Sequence, residues 1–254
     1  MNKPKATIEA HITGLILAGG KSTRMGGGDK CLRKLGDKTI LDWVVAAMNA
    51  QVNTLILNVN GEKERFNQPN LTIISDSDSQ LNLEDTGPLA GIYNALNHLH
   101  ICSPQNTSPP ETGSQSTAPQ DNGADKSTYK NTDSEWLLCT PADCPFIPLD
   151  LAQRLHSTAI KDNKAMVFAK VNEQNHYLSS LWHISTRATM GDYLKSGKRS
   201  VWGLLASLDT SQVDYDTQLI GAPDSLQTID PFFNINTPEE LLFAQKLLIG
   251  RRDN

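Results

Sequence analysis

Short apolar runs alternate along the chain with segments whose apolar positions recur at helical spacing. The runs ITGLIL, TLILNVN, LTIIS and EWLLCT have the length and composition of buried strands. Between and after them, TILDWVVAAMNAQ, PLAGIYNALNHLH and LDLAQRLHSTAI carry the spacing of helices with one buried face. Such alternation predicts a mostly parallel central sheet between two helical layers, an α/β architecture. AMVFAK and YLSSLWHIS read as two more strands, followed by helical segments over 187–195 and 201–208. PFFNIN reads as a last strand, leading into TPEELLFAQKLL, a helix with Thr237 as N-cap, Pro238 at its first position and Glu240 three residues after the cap. No internal repeat is present.

One stretch breaks the pattern. Residues 103–133 hold only Ala118, Ala124 and Tyr129 as hydrophobic members, too little to bury, so a disordered surface insertion is expected there. Closing it costs about 3 kcal/mol beyond a constant and grows slowly with length, a burden one domain can carry. A partner-binding tether is the alternative. The expected layout is one domain over 1–254, with an N-terminal half at 12–102, the insertion at 103–133 and a C-terminal half at 134–250. The formal net charge of -5 argues against a broad basic nucleic-acid surface. The N-terminal stretch lacks an apolar run of signal length, and no segment approaches a membrane span, so a soluble cytoplasmic protein is expected. Four cysteines, Cys31, Cys102, Cys139 and Cys144, show no paired spacing and are expected to be reduced thiols without a metal role.

Candidate chemistry begins at LAGGKSTRMGGGDK, which follows the first strand. Its GKS invites a P-loop reading, but the glycine needed five residues earlier is Leu15, within a strand-like run. What remains is a loop containing Gly19, Gly20, Gly26, Gly27 and Gly28 with Lys21, Arg24 and Lys30, whose open backbone N–H groups and cations suit an anion. Ligands of open parallel sheets bind beyond the carboxyl ends of strands. That draws attention to Asn58 and Asn60 after the second strand, Asp76 after the third, and Asp143 in CTPADCPFIP. Asp143, in a turn between Pro141 and Pro145, is either a turn former or a Mg²⁺ carboxylate. In DTGPLAG, Gly87 precedes the proline and Gly91 lies in the first turns of a helix. Gly91 leaves room for a ribose or base, or else for tight helix packing. With Thr237 as the cap, Asn234 and Asn236 are left free for a ligand.

Taken together and in this order, LAGGKSTRMGGGDK, DTGPLAG, CTPADCPFIP and NINTPEEL resemble the molybdenum cofactor guanylyltransferase family. The resemblance implies a three-layer α/β/α Rossmann-like nucleotidyltransferase fold. It also implies transfer of GMP from GTP to Mo-molybdopterin, with diphosphate released and Mg²⁺ required. By motif, Leu17, Ala18, Gly19 and Gly20 contact the nucleotide, Lys30 its phosphates, and Asn58, Asp76, Gly87 and Gly91 the rest of it. Asp143 holds the metal. Arg24, Lys30 and Asp143 are the expected catalytic groups, with Asn234 and Asn236 on the pterin side. His176 is expected to be structural or a pterin-side contact. Transient contacts with cofactor-inserting proteins or molybdoenzymes follow from the need to pass the product on. A cytidylyltransferase of the same fold, acting on molybdopterin or a sugar or polyol phosphate, remains open, as does a non-catalytic GTP-binding delivery module.

Overall fold

The computed structural model describes residues 11–19, 28–66, 71–76, 81, 87–102, 136–221 and 226–249. Gly20, Arg24 and the insertion at 103–133 lie outside them. In chain order the strands are β1 (Ile12–Ala18), β2 (Lys34–Leu35), β3 (Lys38–Thr39), β4 (Thr54–Val59), β5 (Thr72–Ser75), β6 (Trp136–Pro141), β7 (Met166–Val171), β8 (Gln174–His183), β9 (Thr210–Tyr215), β10 (Gln218–Ile220) and β11 (Gln227–Ile229). The helices are α1 (Ile40–Asn49), α2 (Pro88–Cys102), α3 (Leu151–Asp162), α4 (Thr186–Lys195), α5 (Val201–Leu205) and α6 (Pro238–Ile249).

Seven strands form one sheet in the order β5-β4-β1-β6-β8-β7-β9. β1 pairs in parallel with β4 and β6, β4 with β5, and β7 with β9, whereas β8 runs antiparallel to both β6 and β7. The expected mostly parallel sheet between helices is thus what the chain forms. Its central strands β4, β1 and β6 are buried on both faces, because alternate side chains feed two cores. In β1, Ile12, Ile16 and Ala18 join Leu41, Val44 and Met48 of α1 and Leu151, Leu155 and Ala159 of α3. Leu15 points the other way, toward Leu89, Ile92 and Leu96 of α2, Met190 and Leu194 of α4, and Leu204 of α5. A third cluster packs the β2–β3 and β10–β11 ribbons under α6 through Leu35, Ile220, Ile229, Phe146, Ala244 and Leu247.

Two strand expectations change. PFFNIN forms no strand: residues 231–236 are turn and irregular backbone, although Phe232 and Ile235 are buried. Its apolar content reflects burial against the core rather than ladder pairing. The strand of this sheet that the apolar pattern misses is β9, where only Val213 and Tyr215 turn fully inward and the polar residues around them mask the apolar signal; the short β2, β3, β10 and β11 are missed as well. The helix at 201–208 is also shorter than expected, ending at Leu205.

Candidate active site

β1 lies where the sheet changes direction of growth, with β4 and β5 added on one side and β6 on the other. A crevice at such a reversal is the usual ligand site of an open α/β sheet. A cavity of about 420 Å³ opens there. Leu17, Ala18 and Gly19 come from the end of β1, Asn58 and Asn60 from the end of β4, and Asp76 from just past β5. Gly87 and Pro88 bring in the start of α2, Pro141 the end of β6, and Ala142 and Asp143 the turn after it. Asp29, Lys30 and Cys31, Leu178 of β8, and Asn234 with Asn236 complete the wall.

The polar floor is one connected cluster. Lys30, opening the short 3-10 turn Lys30–Leu32, forms an ion pair with Asp143 Oδ2 and donates from Nζ to Asn236 Oδ1 at 2.7 Å. Asn234 Nδ2 donates to Asp143 Oδ1 at 3.1 Å. The 231–236 segment is fixed against the same turn by the Ile235 N–H, which donates to the Asp143 carbonyl at 3.0 Å. Its far end is held by a capping box. Glu240 N donates to Thr237 Oγ1 at 3.2 Å, and Glu240 Oε2 accepts from the N–H groups of Thr237 at 3.0 Å and Asn236 at 2.6 Å. Thr237 is therefore the cap, but Asn234 and Asn236 are not free amides: they orient the Lys30–Asp143 pair. Both amides thus face the pair from the 231–236 segment.

A second polar group lies at the ends of β4 and β5. Asn58 Nδ2 donates to Asp76 Oδ1 at 2.9 Å, and Asn94 of α2 donates to the Ser75 carbonyl at 3.2 Å. Burial raises the Asp76 carboxyl above its ordinary range, and the Asn58 hydrogen bond offsets part of that. Asn58 is buried, and its Oδ1 has no hydrogen-bond partner among the described residues. Gly91 leaves the space that Asn58 fills: a Cβ there would stand 2.5 Å from Asn58 Nδ2 and 2.8 Å from Leu17 Cδ2. Its missing side chain thus serves tight helix–sheet packing around two cavity-lining residues.

No histidine lines the cavity among the described residues. His176 packs on Phe232 with ring centroids 4.9 Å apart and places Nε2 2.8 Å from Asp230 Oδ2, a structural tie to the 231–236 segment. Burial, helped by Asp29 and Asp143, pushes the Cys31 thiol up to about 12. Burial also raises Cys144, whose Sγ donates to the Phe232 carbonyl at 3.5 Å. Both thiols stay protonated at neutral pH and offer no nucleophile. Asp29, Cys31 and Leu178 were not singled out from the sequence. Asp29 had one usable signal, its place beside Lys30 in GGGDK.

Among the described residues no group of three or more His, Cys, Asp and Glu side chains gathers as a metal site. Asp143 alone suits Mg²⁺, which takes one or two carboxylates and completes its shell with water and phosphate oxygens. Both Asp143 oxygens are engaged in the free protein, by Lys30 and Asn234. A single carboxylate of this kind fits an ion whose shell is completed by phosphate oxygens and water.

The chain is similar to known proteins in sequence and fold. The model for the MobA-like NTP transferase domain matches residues 14–212. A molybdenum cofactor guanylyltransferase from Nitrobacter hamburgensis is 35% identical over 244 residues, covering 95% of this chain and 97% of that protein. The solved molybdopterin-guanine dinucleotide biosynthesis protein A from Archaeoglobus fulgidus superposes with a TM-score of 0.62 at 17% identity, covering 93% of this chain and 98% of that one. The 2-C-methyl-D-erythritol 4-phosphate cytidylyltransferase of Thermus thermophilus shares the fold with a TM-score of 0.54 at 11% identity, over 92% and 98% of the two chains. With Gly19, Lys30 and buried Asp143 meeting at the switch point of the sheet, and with a family match running from β1 into β9, this chain belongs to the MobA-like NTP transferase family.

Proposed function

We propose that the protein transfers the GMP unit of GTP to the terminal phosphate of Mo-molybdopterin, forming molybdopterin guanine dinucleotide and releasing diphosphate. The observation that carries this reading is the Lys30–Asp143–Asn234–Asn236 cluster on the floor of a nucleotide-sized cavity, in a chain whose relatives are named molybdenum cofactor guanylyltransferase.

In the reaction a phosphate oxygen of the pterin attacks the α-phosphorus of GTP, a P–O bond forms, and the bond to diphosphate breaks on the opposite side. A phosphate monoester has a second pKa of about 6, so the attacking group is largely dianionic at neutral pH and needs no protein base. A cavity wall without histidine agrees with that. The remaining task is to offset negative charge and hold the reactants in line. Lys30, on the cavity wall, would neutralise the triphosphate and the departing diphosphate, and Gly19 presents backbone without a side chain in the way. Mg²⁺ held by Asp143 would supply further charge neutralisation on the phosphate oxygens. Asn234 and Asn236, already turned to this centre, are the proposed contacts on the pterin side, with Arg24 from the glycine loop.

Base choice is assigned to Asp76 and Asn58. The Asp76 carboxylate only accepts hydrogen bonds when ionised, and Asn58 Oδ1 is an acceptor in want of a donor. Guanine presents adjacent N–H donors on its Watson–Crick edge, whereas cytosine presents mainly acceptors there. Handing the product on requires transient contact with an accepting protein. The deciding assay supplies Mg²⁺, molybdopterin and each nucleoside triphosphate in turn and follows diphosphate. Release with GTP and pterin together is expected. Release with CTP instead overturns the base assignment, and release without pterin indicates a hydrolase.

A further inference from the structure

Asp29 puts a carboxylate on the wall of a cavity assigned to a polyanion, directly beside Lys30. Its side chain is only 13% exposed, and Arg65 Nη1 stands 2.9 Å from its Oδ2. The guanidinium is held on other sides as well. Nη2 donates to the Asn60 carbonyl at 2.8 Å, Nε donates to the Glu62 carbonyl at 3.3 Å, and the group lies 5.7 Å from the ring centroid of buried Phe66. Gly61 makes the fit possible: it turns the chain at φ +92°, and a Cβ on it would stand 3.3 Å from Nη2. Arg65 thus joins two separate parts of the cavity wall, the Asp29–Lys30 corner and the strand end at Asn60, without lining the cavity itself.

We propose that Arg65 is a positioning residue of the nucleotide site: it cancels the Asp29 charge next to the bound phosphates and fixes the corner from which Lys30 reaches Asp143. This rests on the nucleotide reading above. A guanidinium suits the task because its planar fork serves a carboxylate and a carbonyl together, which a lysine does not. Without it, Asp29 would repel the triphosphate at short range, while the uncharged nucleoside portion of the ligand would be indifferent to it.

The test measures binding of GTP and of guanosine to the full chain, with steady-state kinetics alongside, for Arg65→Gln, Asp29→Asn and the double variant. Arg65→Gln is expected to weaken GTP binding about tenfold and to raise KM more than it lowers kcat, with guanosine affinity within about twofold of the parent. The double variant is expected to recover GTP affinity to within about threefold, because the offending charge is gone. Failure of Asp29→Asn to restore GTP binding in the Arg65→Gln background, or a parallel loss of guanosine affinity in Arg65→Gln, overturns the proposal. If Arg65→Gln does not fold, Arg65→Lys carries the test: weaker GTP binding with unchanged guanosine binding supports the role, and equal losses reject it. Should the parent protein bind CTP rather than GTP, the base assignment fails on its own, and the same comparison is made with CTP and cytidine.

Discussion

Asp143 meets Lys30 through one carboxylate oxygen and Asn234 through the other, so the cavity's buried acid is already occupied by protein donors. Replacing Asp143 by alanine is expected to abolish metal-dependent diphosphate release, and Lys30→Ala to reduce kcat/KM for GTP severely; near-normal values in either remove the assigned role. The pair also makes Lys30 a competitor for divalent cations. In Lys30→Met the carboxylate loses its cation, and a buried charge left unpaired is costly. Mn²⁺ affinity of the nucleotide-free variant, read by electron paramagnetic resonance, should therefore rise; an unchanged value would show that Lys30 does not compete. Asp76 carries a pH prediction. Because burial raises its native pKa above the unfolded one, keeping it ionised costs stability above the native value. That cost disappears as the pH falls toward the unfolded pKa. Nucleotide affinity should move the opposite way, falling on acidification from above the ordinary carboxylate range as the acceptor is protonated. A pH titration of GTP binding checks this, and an unchanged midpoint in Asp76→Asn would exclude Asp76 as the titrating group.

Among the elements, α6 acts on the site from outside it, and α2 acts through its body as well as through the Pro88 end that lines the cavity. The Thr237–Glu240 box starts α6 and tethers Asn236 through the same carboxylate, so the helix start and the Lys30 contact are mechanically linked. Thr237→Ala should cost about 1 kcal/mol of stability, measurable by thermal or denaturant unfolding, as for other lost caps. Helix α2 crosses β4 closely because Gly91 admits Asn58 and Leu17 beneath it. Gly91→Ala gains about 1 kcal/mol of helix propensity but drives a Cβ into Asn58, and overpacking of this kind costs about 1–3 kcal/mol. The expected result is lower GTP affinity with a folded protein; full affinity would show that Asn58 is not positioned by this packing.

At the scale of the whole molecule, the sheet draws β1, β4 and β5 from one part of the chain and β6 through β9 from the other, and the site forms where they meet. Residues 103–133 fall between α2 and β6. Replacing them by a short turn is expected to leave turnover intact in the pterin and GTP assay, and a folded but inactive deletion would assign them a role. Among the described residues no helix is long and apolar enough to cross a membrane. The alternation of apolar runs with helical periods was enough to read most of this architecture, since a strand buried on both faces must be apolar throughout and a covering helix must be apolar on one side. Local chemistry likewise made Thr237, Pro238 and Glu240 legible as a helix start. Strand β9 escaped because only part of one face is buried, and PFFNIN misled because burial alone does not make a ladder. By itself, then, the sequence determined the layers and the polar residues at the strand ends, all properties of short contiguous segments. Only the tertiary structure decided that Asn234 and Asn236 orient Lys30 and Asp143, that Gly91 makes room for Asn58, and that Arg65 reaches Asp29. Those contacts join residues far apart in the chain, and their geometry exists only once the sheet has brought the strand ends to one edge.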